Sequence, residues 1–387
     1  MSVTDIEGFS AGGIAAGIKK SGDPDLALIV TDDAGPVPAA GVFTSNKMTA
    51  APVLVSREHL DATAGHAAAV IVNSGNANAA TGRQGMEDAV RMCGETADAV
   101  GCPAEEVLVC STGLIGYHLP MDVISAGIPR VAAAVTPDGG PAAARAMMTT
   151  DTVAKTTLIS GEGFAVGGIA KGAAMLEPNM ATMLAILTTD HAAKSQDLRA
   201  SLRRAVAASF NRLTVDGAES TNDTVLVLAN GRSGVTDLDR LDVALTAACR
   251  DLAFQMANDA EGSTKTVILT VTGALSNAEA ASAARDCANC QLVKCSWYGE
   301  DPYWGRIASE FGAAGIGFDP NRLTIAYGDH VVYRHGEPAG PASEELVAYM
   351  KRRTLALNVD LGLGSGAAEI ITNDLTHAYV DENMGTS

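Results

Sequence analysis

The chain has 387 residues, 47% of them hydrophobic and 19% charged, with a formal net charge of −18 at pH 7; such a composition can bury a sizeable core. The acidity and the lack of any long Lys/Arg cluster exclude a nucleic-acid partner, and no apolar run reaches the roughly 18 residues of a membrane helix. The segment Met1–Gly8 has early acidic residues and no basic region before an apolar core, so no signal peptide is expected and the localisation is expected to be cytoplasmic.

In chain order, short β-branched runs alternate with alanine-rich stretches, the pattern of a mixed α/β protein. Strands are predicted at Leu26–Thr31 and Ala69–Asn73. A helix follows over Gln84–Val100, where Ala89, Val90, Cys93, Ala97 and Val100 recur at helical spacing and Gly101 supplies the stop. Strands are next expected at Val107–Ser111 and Leu184–Thr188, then a helix over Asp197–Phe210 with Leu198, Leu202, Val206 and Phe210 on one side. A strand at Thr224–Ala229, a long helix over Leu241–Ala257, and strands at Thr266–Thr272, Leu323–Ala326 and Ala368–Thr372 complete the series. The stretch Gly362–Gly366 (GLGSG) is glycine-rich like a dinucleotide loop, but the chain resumes as a strand rather than a helix. It reads as a hairpin, and no nucleotide cofactor is expected.

The stretch Lys171–Leu184 (KGAAMLEPNMATML) sets Thr182 behind the small Ala181, inside an apolar run. A threonine hydroxyl needs a base beside it to act as a nucleophile, and its own α-amine, freed by cutting the preceding peptide bond, is the economical one. The plain alternative is an ordinary threonine in a buried strand. Ser111-Thr-Gly113 ends an apolar strand in a Thr-Gly turn, where a glycine lets the backbone approach a ligand and its N–H can meet a developing oxyanion; an ordinary strand exit has the same pattern. Lys171 is either a solvated loop lysine or a group that binds a substrate carboxylate and lowers a nearby amine's pKa. Glu261 sits at a helix end, where a carboxylate opposes the dipole, and Thr149 alone carries no signal. Ser220–Thr224 (STNDT), a polar cluster opening a strand, reads as a turn network. Cys287, Cys290 and Cys295 lack a nearby fourth zinc ligand, so no metal is expected. The seven histidines are scattered, with no Gly-x-Ser-x-Gly elbow, which disfavours a serine–histidine hydrolase.

Several motifs occur in family order: Gly8–Lys19 (GFSAGGIAAGIK), Asp25–Val30, Asn73–Gly82, Ser111–Gly116, Met148–Thr152 and Lys171–Leu184. In the second half come Thr214–Gly217, Ser220–Thr224, Asp259–Gly262, Trp304-Gly-Arg306 and Asp374-Leu-Thr376. Through them the chain resembles the self-processing ornithine acetyltransferases, the glutamate N-acetyltransferases of cyclic arginine biosynthesis. The resemblance implies an α/β/β/α sandwich, shared in type with self-cleaving aminopeptidases, with a smaller C-terminal α/β lobe from about residue 280 to 387. It implies self-cleavage between Ala181 and Thr182 into interlocked fragments 1–181 and 182–387, assembled as a heterotetramer of two of each. Thr182 is then the nucleophile, Thr112 (hydroxyl) and Gly113 (amide) the oxyanion hole, and Thr149, Lys171, Thr182, Glu261, Asn383 and Ser387 the substrate contacts. The implied reaction moves an acetyl group from N-acetylornithine to glutamate by a ping-pong path without a cofactor, with acetyl-CoA as an alternative donor.

The chain departs from the family pattern at Asp301-Pro-Tyr-Trp-Gly-Arg306, where Tyr303 replaces an asparagine, at Cys295–Tyr298, and at a shorter C-terminus lacking an aromatic residue. These departures keep open a paralogue with another N-acetyl amino-acid donor and a non-catalytic binding protein. A self-cleaving aminopeptidase of similar fold is a further alternative, against which the pairing of Lys171 with Glu261 favours an amino-acid donor over peptides.

Overall fold

The structure is a computed structural model and describes residues 1–177 and 183–385. The chain divides into two compact units, Met1–Asn211 with Ala218–Met256, and Arg212–Gly217 with Ala257–Ser387.

Unit 1 contains the strands β1 (Phe9–Ile14), β2 (Leu26–Thr31), β3 (Val37–Phe43), β4 (His66–Ala67), β5 (Ala69–Asn76), β6 (Val107–Leu114), β7 (Lys155–Ser160), β8 (Ala165–Lys171), β9 (Leu184–Thr189) and β10 (Thr224–Ala229). They form two sheets, ordered β1-β2-β5-β6 and β4-β3-β10-β9-β8-β7. Helices α1 (Ala51–Ala62), α2 (Gly82–Val100), α3 (Met121–Ala133), α4 (Gly140–Met147), α5 (Ser195–Ala207) and α6 (Leu238–Asn258) complete the set. The strands are buried on both faces, so alternate residues serve different layers. Ala27, Ile29, Val70, Val72, Leu108 and Cys110 of the first sheet meet Ile169, Leu184, Ile186, Leu226 and Leu228 of the second in one core. The other face of the first sheet, Leu26, Leu28, Ile71, Val107 and Val109, packs on α1, α2 and α3 through residues such as Val55, Met92 and Ile128. On the far side, α5 packs on β3 and β10, and Leu252 of α6 lies over Gly168 of β8. The result is the expected α/β/β/α sandwich.

Unit 2 has strands β11 (Thr266–Ala274), β12 (Thr324–Tyr327), β13 (His330–Arg334), β14 (Glu337–Pro338), β15 (Thr354–Asp360) and β16 (Gly366–Asn373), and helices α7 (Asn277–Asn289), α8 (Gln291–Tyr298), α9 (Trp304–Ala313), α10 (Glu344–Met350) and α11 (His377–Glu382). One sheet, β14-β13-β12-β15-β11-β16, packs on the helices through Val267, Leu269, Ala284, Trp297, Phe311 and Met350. The unit starts at Ala257 rather than near residue 280, because β11 is an interior strand of its sheet. Residues 212–217 join it because the Thr214 amide donates to the Ile371 carbonyl at 2.9 Å and the Thr214 hydroxyl to Asn289 Oδ1 at 2.6 Å.

The stretch Gly362–Gly366 is not a hairpin. β15 runs parallel to β11 and β16 antiparallel to it, so the two strands flank β11 rather than pair. The connection instead arches over the end of β11, where the Leu363 and Gly364 amides donate to the Gly273 carbonyl at 2.7 and 2.9 Å. Among the described residues, no helix is long and apolar enough to cross a membrane.

Candidate active site

β5 and β6 run parallel, and their pairing becomes irregular at Gly75, Asn76 and Gly113. The strand continues through Thr112 and Gly113 to Leu114, further than the sequence suggested. Gly113 has φ of +131°, and a Cβ there would lie 2.3 Å from the Gly75 carbonyl carbon, so only glycine fits. Its neighbour Thr112 is buried. Polar bonds fix this strand end: Ser111 donates to Asn73 Oδ1 at 2.6 Å, and Asn222 Nδ2 donates to the Ala77 and Ser111 carbonyls at 2.6 and 2.9 Å. Lys171, the last residue of β8, is only 3% exposed, and its Nζ donates to Thr112 Oγ1 at 3.2 Å. A hydroxyl that accepts from an ammonium keeps its own proton free to donate.

A buried ammonium needs compensation, and Asp151 lies in the same interior. Its Oδ1 accepts from Lys155 Nζ at 2.5 Å and from the Gly172 amide at 2.8 Å. Its Oδ2 accepts from the Thr149 amide at 3.0 Å. Burial pushes this carboxyl up, but the charges of Lys171 and Lys155, with the bonds from Lys155 and Thr149, outweigh that and hold it down to about 2. Thr149 and Lys171 are thus tied to one carboxylate, the first through its own amide and the second through its charge and the amide of the next residue. A further cation, Lys19, donates to the Met148 carbonyl at 2.6 Å and the Pro24 carbonyl at 2.8 Å. Asp25 accepts from the Ala16, Gly17, Ile18 and Lys19 amides at 2.6 to 3.1 Å and so fixes the loop that carries it. Burial lowers the Lys19 pKa, against the opposing pull of Asp25.

The segment Ser220–Thr224 lies against this strand end through Asn222. Besides Asn222, it supplies Asp223, which is fully buried; its Oδ1 accepts from the Met183 amide at 2.7 Å. Its Oδ2 has no hydrogen-bond partner among the described residues. Burial raises the pKa of this carboxyl well above the usual value, outweighing the Met183 amide and the charge of Lys171.

Unit 2 holds Glu261 and Asn383 together, with Asn383 Nδ2 donating to Glu261 Oε2 at 2.8 Å. Three motifs converge here. The Thr376 hydroxyl donates to the Gly262 carbonyl at 2.7 Å, and the Tyr379 hydroxyl to Asp216 Oδ2 at 3.3 Å. Gly262 has φ of +60°, and a Cβ on it would sit 2.3 Å from the Tyr379 amide nitrogen, so a side chain would lift α11 away. Asp216, Glu261, Lys294, Asp374 and Tyr379 line a cavity of about 140 Å³. Tyr303 is 50% exposed, and its amide donates to Asp301 Oδ1 at 3.1 Å at the start of α9. Among the described residues no His/Cys/Asp/Glu group could hold a metal ion.

Of the residues singled out in the sequence, the structure brings Thr112, Gly113, Lys171 and Thr149 into one region of unit 1, and Glu261 and Asn383 into one region of unit 2. Ala181, Thr182 and Ser387 lie outside the described residues. Sequence reasoning did not single out Lys19, Asp151, Asp223 or Tyr379. Lys19, Asp151 and Asp223 do fall inside the family motifs, which was the one signal available.

A model of the ArgJ family matches residues 10–385. The arginine biosynthesis bifunctional protein ArgJ of Streptomyces coelicolor is 45% identical over 389 residues, covering 100% of both chains. The protein of the same description from Mycolicibacterium paratuberculosis is 48% identical over 399 residues, covering 100% of this chain and 96% of that one. The crystal structure of ornithine acetyltransferase complexed with ornithine from Mycobacterium tuberculosis is 42% identical over 46% of this chain and 94% of that chain, with a TM-score of 0.42.

Asp151 carries a stability prediction with a definite sign. Its pKa is depressed from 3.8 to about 2, so its contribution, about 2 kcal/mol, is present above the unfolded value and is lost as pH falls through the folded one. Asp151→Asn also takes a negative charge away from two buried ammonium groups, which costs about 3–5 kcal/mol at neutral pH. Denaturant midpoints measured from pH 7 to pH 2 should show the gap between wild type and Asp151→Asn narrowing below pH 4. A gap that is constant across that range would contradict the assignment.

Proposed function

The chain belongs to the ArgJ family and is an acyltransferase, and we propose that it cuts itself between Ala181 and Thr182 and then carries acetyl groups on Thr182. The donor in this reading is N2-acetyl-L-ornithine and the acceptor L-glutamate, giving L-ornithine and N-acetyl-L-glutamate. The observation that carries it is the 3.2 Å contact from Lys171 to Thr112, beside the pairing of Lys171 with Leu184, two residues past the expected nucleophile. A buried cation that touches Thr112 and is paired in register with Leu184 supports this reading.

The steps balance as follows. The Thr182 hydroxyl adds to the acetyl carbonyl carbon and gives its proton to its own α-amine, whose unperturbed pKa of about 7.7–8.0 leaves enough free base near neutrality. The Gly113 amide and the Thr112 hydroxyl hold the resulting oxyanion. The C–N bond then breaks, the ornithine nitrogen takes the proton, and an acetyl ester remains on Thr182. The glutamate amine attacks that ester by the reverse path, which restores the hydroxyl. Lys171 suits a substrate carboxylate, because charge-assisted bonds are roughly twice as strong as neutral ones. By the family resemblance, Glu261 takes the donor's side-chain ammonium, with Thr149, Asn383 and Ser387 as further contacts. The acetyl carrier is the protein itself, and the proposed assembly has two copies of each fragment.

Self-cleavage predicts two bands of similar size under denaturing conditions, the second beginning with threonine. Thr182→Ala should give one full-length band and no transfer; active wild-type protein that ran as a single full-length band would sink the reading.

Thr112→Val keeps the shape and removes the hydroxyl. We expect kcat for glutamate acetylation to fall by about 10²–10³ with little change in KM. An unchanged kcat would remove Thr112 from the oxyanion hole. The same assay with acetyl-CoA in place of N-acetylornithine decides whether a second donor serves.

A further inference from the structure

Strand β3 has an open edge. β4 covers only Val37 and Pro38 of it, and beyond them no strand among the described residues pairs on that side. The Ala39 amide turns that way and donates to the Gly65 carbonyl at 2.8 Å, while the Thr44 amide turns toward β10 and donates to the Asp223 carbonyl at 3.0 Å. Main-chain groups alternate along a strand, so those of Gly41 and Phe43 face the open side. There they line a cavity of about 540 Å³ whose other walls come from α1 and α5. Small-molecule sites run from roughly 300 to 1,000 Å³.

The charge of this cavity is opposite to that of the chain. Arg57, Arg199 and Arg203 line it against one carboxylate, Asp61, in a protein of net charge −18. Arg199 and Arg203 are exposed and stand one turn apart on α5. The next residue, Arg204, pairs with Asp242 at 2.6 Å, but Arg199 and Arg203 make no ion pair among the described residues. Arg57 is half-buried; its Nη2 donates to the Thr44 carbonyl at 2.7 Å, and its guanidinium carbon lies 5.2 Å from the Phe43 ring centre. A guanidinium bound to one carbonyl keeps N–H donors for an anion, which it grips with two parallel bonds. Guarding an open edge against other chains needs charge alone; three guanidiniums around one recess with main-chain N–H groups supply the donors of an anion site.

We propose that this cavity is an effector site for a small organic dianion, a dicarboxylate or a phosphate ester, held by Arg57, Arg199 and Arg203 with the Gly41 and Phe43 N–H groups as further donors. It is distinct from the candidate active site but connected to it. Phe43 pairs with Thr224, Thr224 with Leu184, and Leu184 with Lys171, a row of three strand spacings or about 14 Å. Thr44, whose carbonyl Arg57 holds, donates its hydroxyl to the Ser220 carbonyl at 2.7 Å. Asn222 of the same segment donates to the Ser111 carbonyl beside Thr112. An anion that draws Arg57 off Thr44 releases one end of this chain of bonds, so bound effector lowers kcat.

Binding is measured by titration calorimetry on the full-length protein, with succinate and glycerol 3-phosphate as the two probes. Wild type should bind one equivalent of at least one of them, and the arm that binds tells carboxylate from phosphate. Arg199→Gln combined with Arg203→Gln should weaken binding about tenfold or more, with thermal unfolding as the check on folding. Without probe the double variant should keep the wild-type kcat for glutamate acetylation. With saturating probe, kcat should fall about twofold or more in wild type and stay constant in the variant. A probe that merely occupies the glutamate site would raise KM in both proteins alike. That result, no binding of either probe to wild type, equal binding by the variant, or binding without a change in kcat would each overturn the proposal. The activity arm rests on the acetyl-transfer reading; if wild type has no such activity, that reading fails and calorimetry still decides the binding.

Discussion

A single buried carboxylate, Asp151, makes a cationic site possible inside this sandwich. Lys155 and Lys171 are almost fully buried, and a charge so placed is tolerated only when paired and hydrogen-bonded. Asp151 binds one lysine directly, accepts the amide beside the other, and fixes the backbone of Thr149. The arrangement gives Lys171 a rigid cation to present at Thr112 rather than a solvated one. Burial also strengthens the charge interactions made there.

The second element is backbone geometry. Parallel strands β5 and β6 approach so closely at Gly113 that a side chain there would run into the Gly75 backbone, and the ladder loses its regularity. The bonds from Asn222 to the Ala77 and Ser111 carbonyls hold the strand end in place. The β8–β9 pair sets Lys171 opposite Leu184. Lys171, Thr112 and Gly113 are thus all carried by strands of unit 1.

Much of this was legible in the sequence because it is local. Val107–Cys110 followed by Ser-Thr-Gly gave the strand and its special end, and Thr224–Ala229 gave β10 to the residue. The β7–β8 pair was missed: the Gly167-Gly168 step gives β8 little alternation to read, since those glycines make room for the Ser2 carbonyl and Leu187. The GLGSG stretch was misjudged for a different reason. Two adjacent strands joined by a short glycine loop look like a hairpin in sequence, and only the insertion of β11 between them excludes it. Asp151 and Asp223 were not legible as site residues, since nothing in a short acidic motif tells that it will be buried beside lysines or a strand amide from elsewhere in the chain. The convergence of Asp216, Glu261 and Thr376 in unit 2 was foreshadowed only by family order, because their contacts cross more than a hundred positions.

The central claim is that the acetyl group rests on the protein between donor and acceptor. The direct measurement is the intact mass of the purified, cleaved enzyme after incubation with N-acetylornithine alone. The account predicts one added acetyl group on the fragment that begins at Thr182, removed when glutamate is supplied. An unmodified fragment, with N-acetylglutamate formed only when both substrates are present together, would contradict it and favour direct transfer.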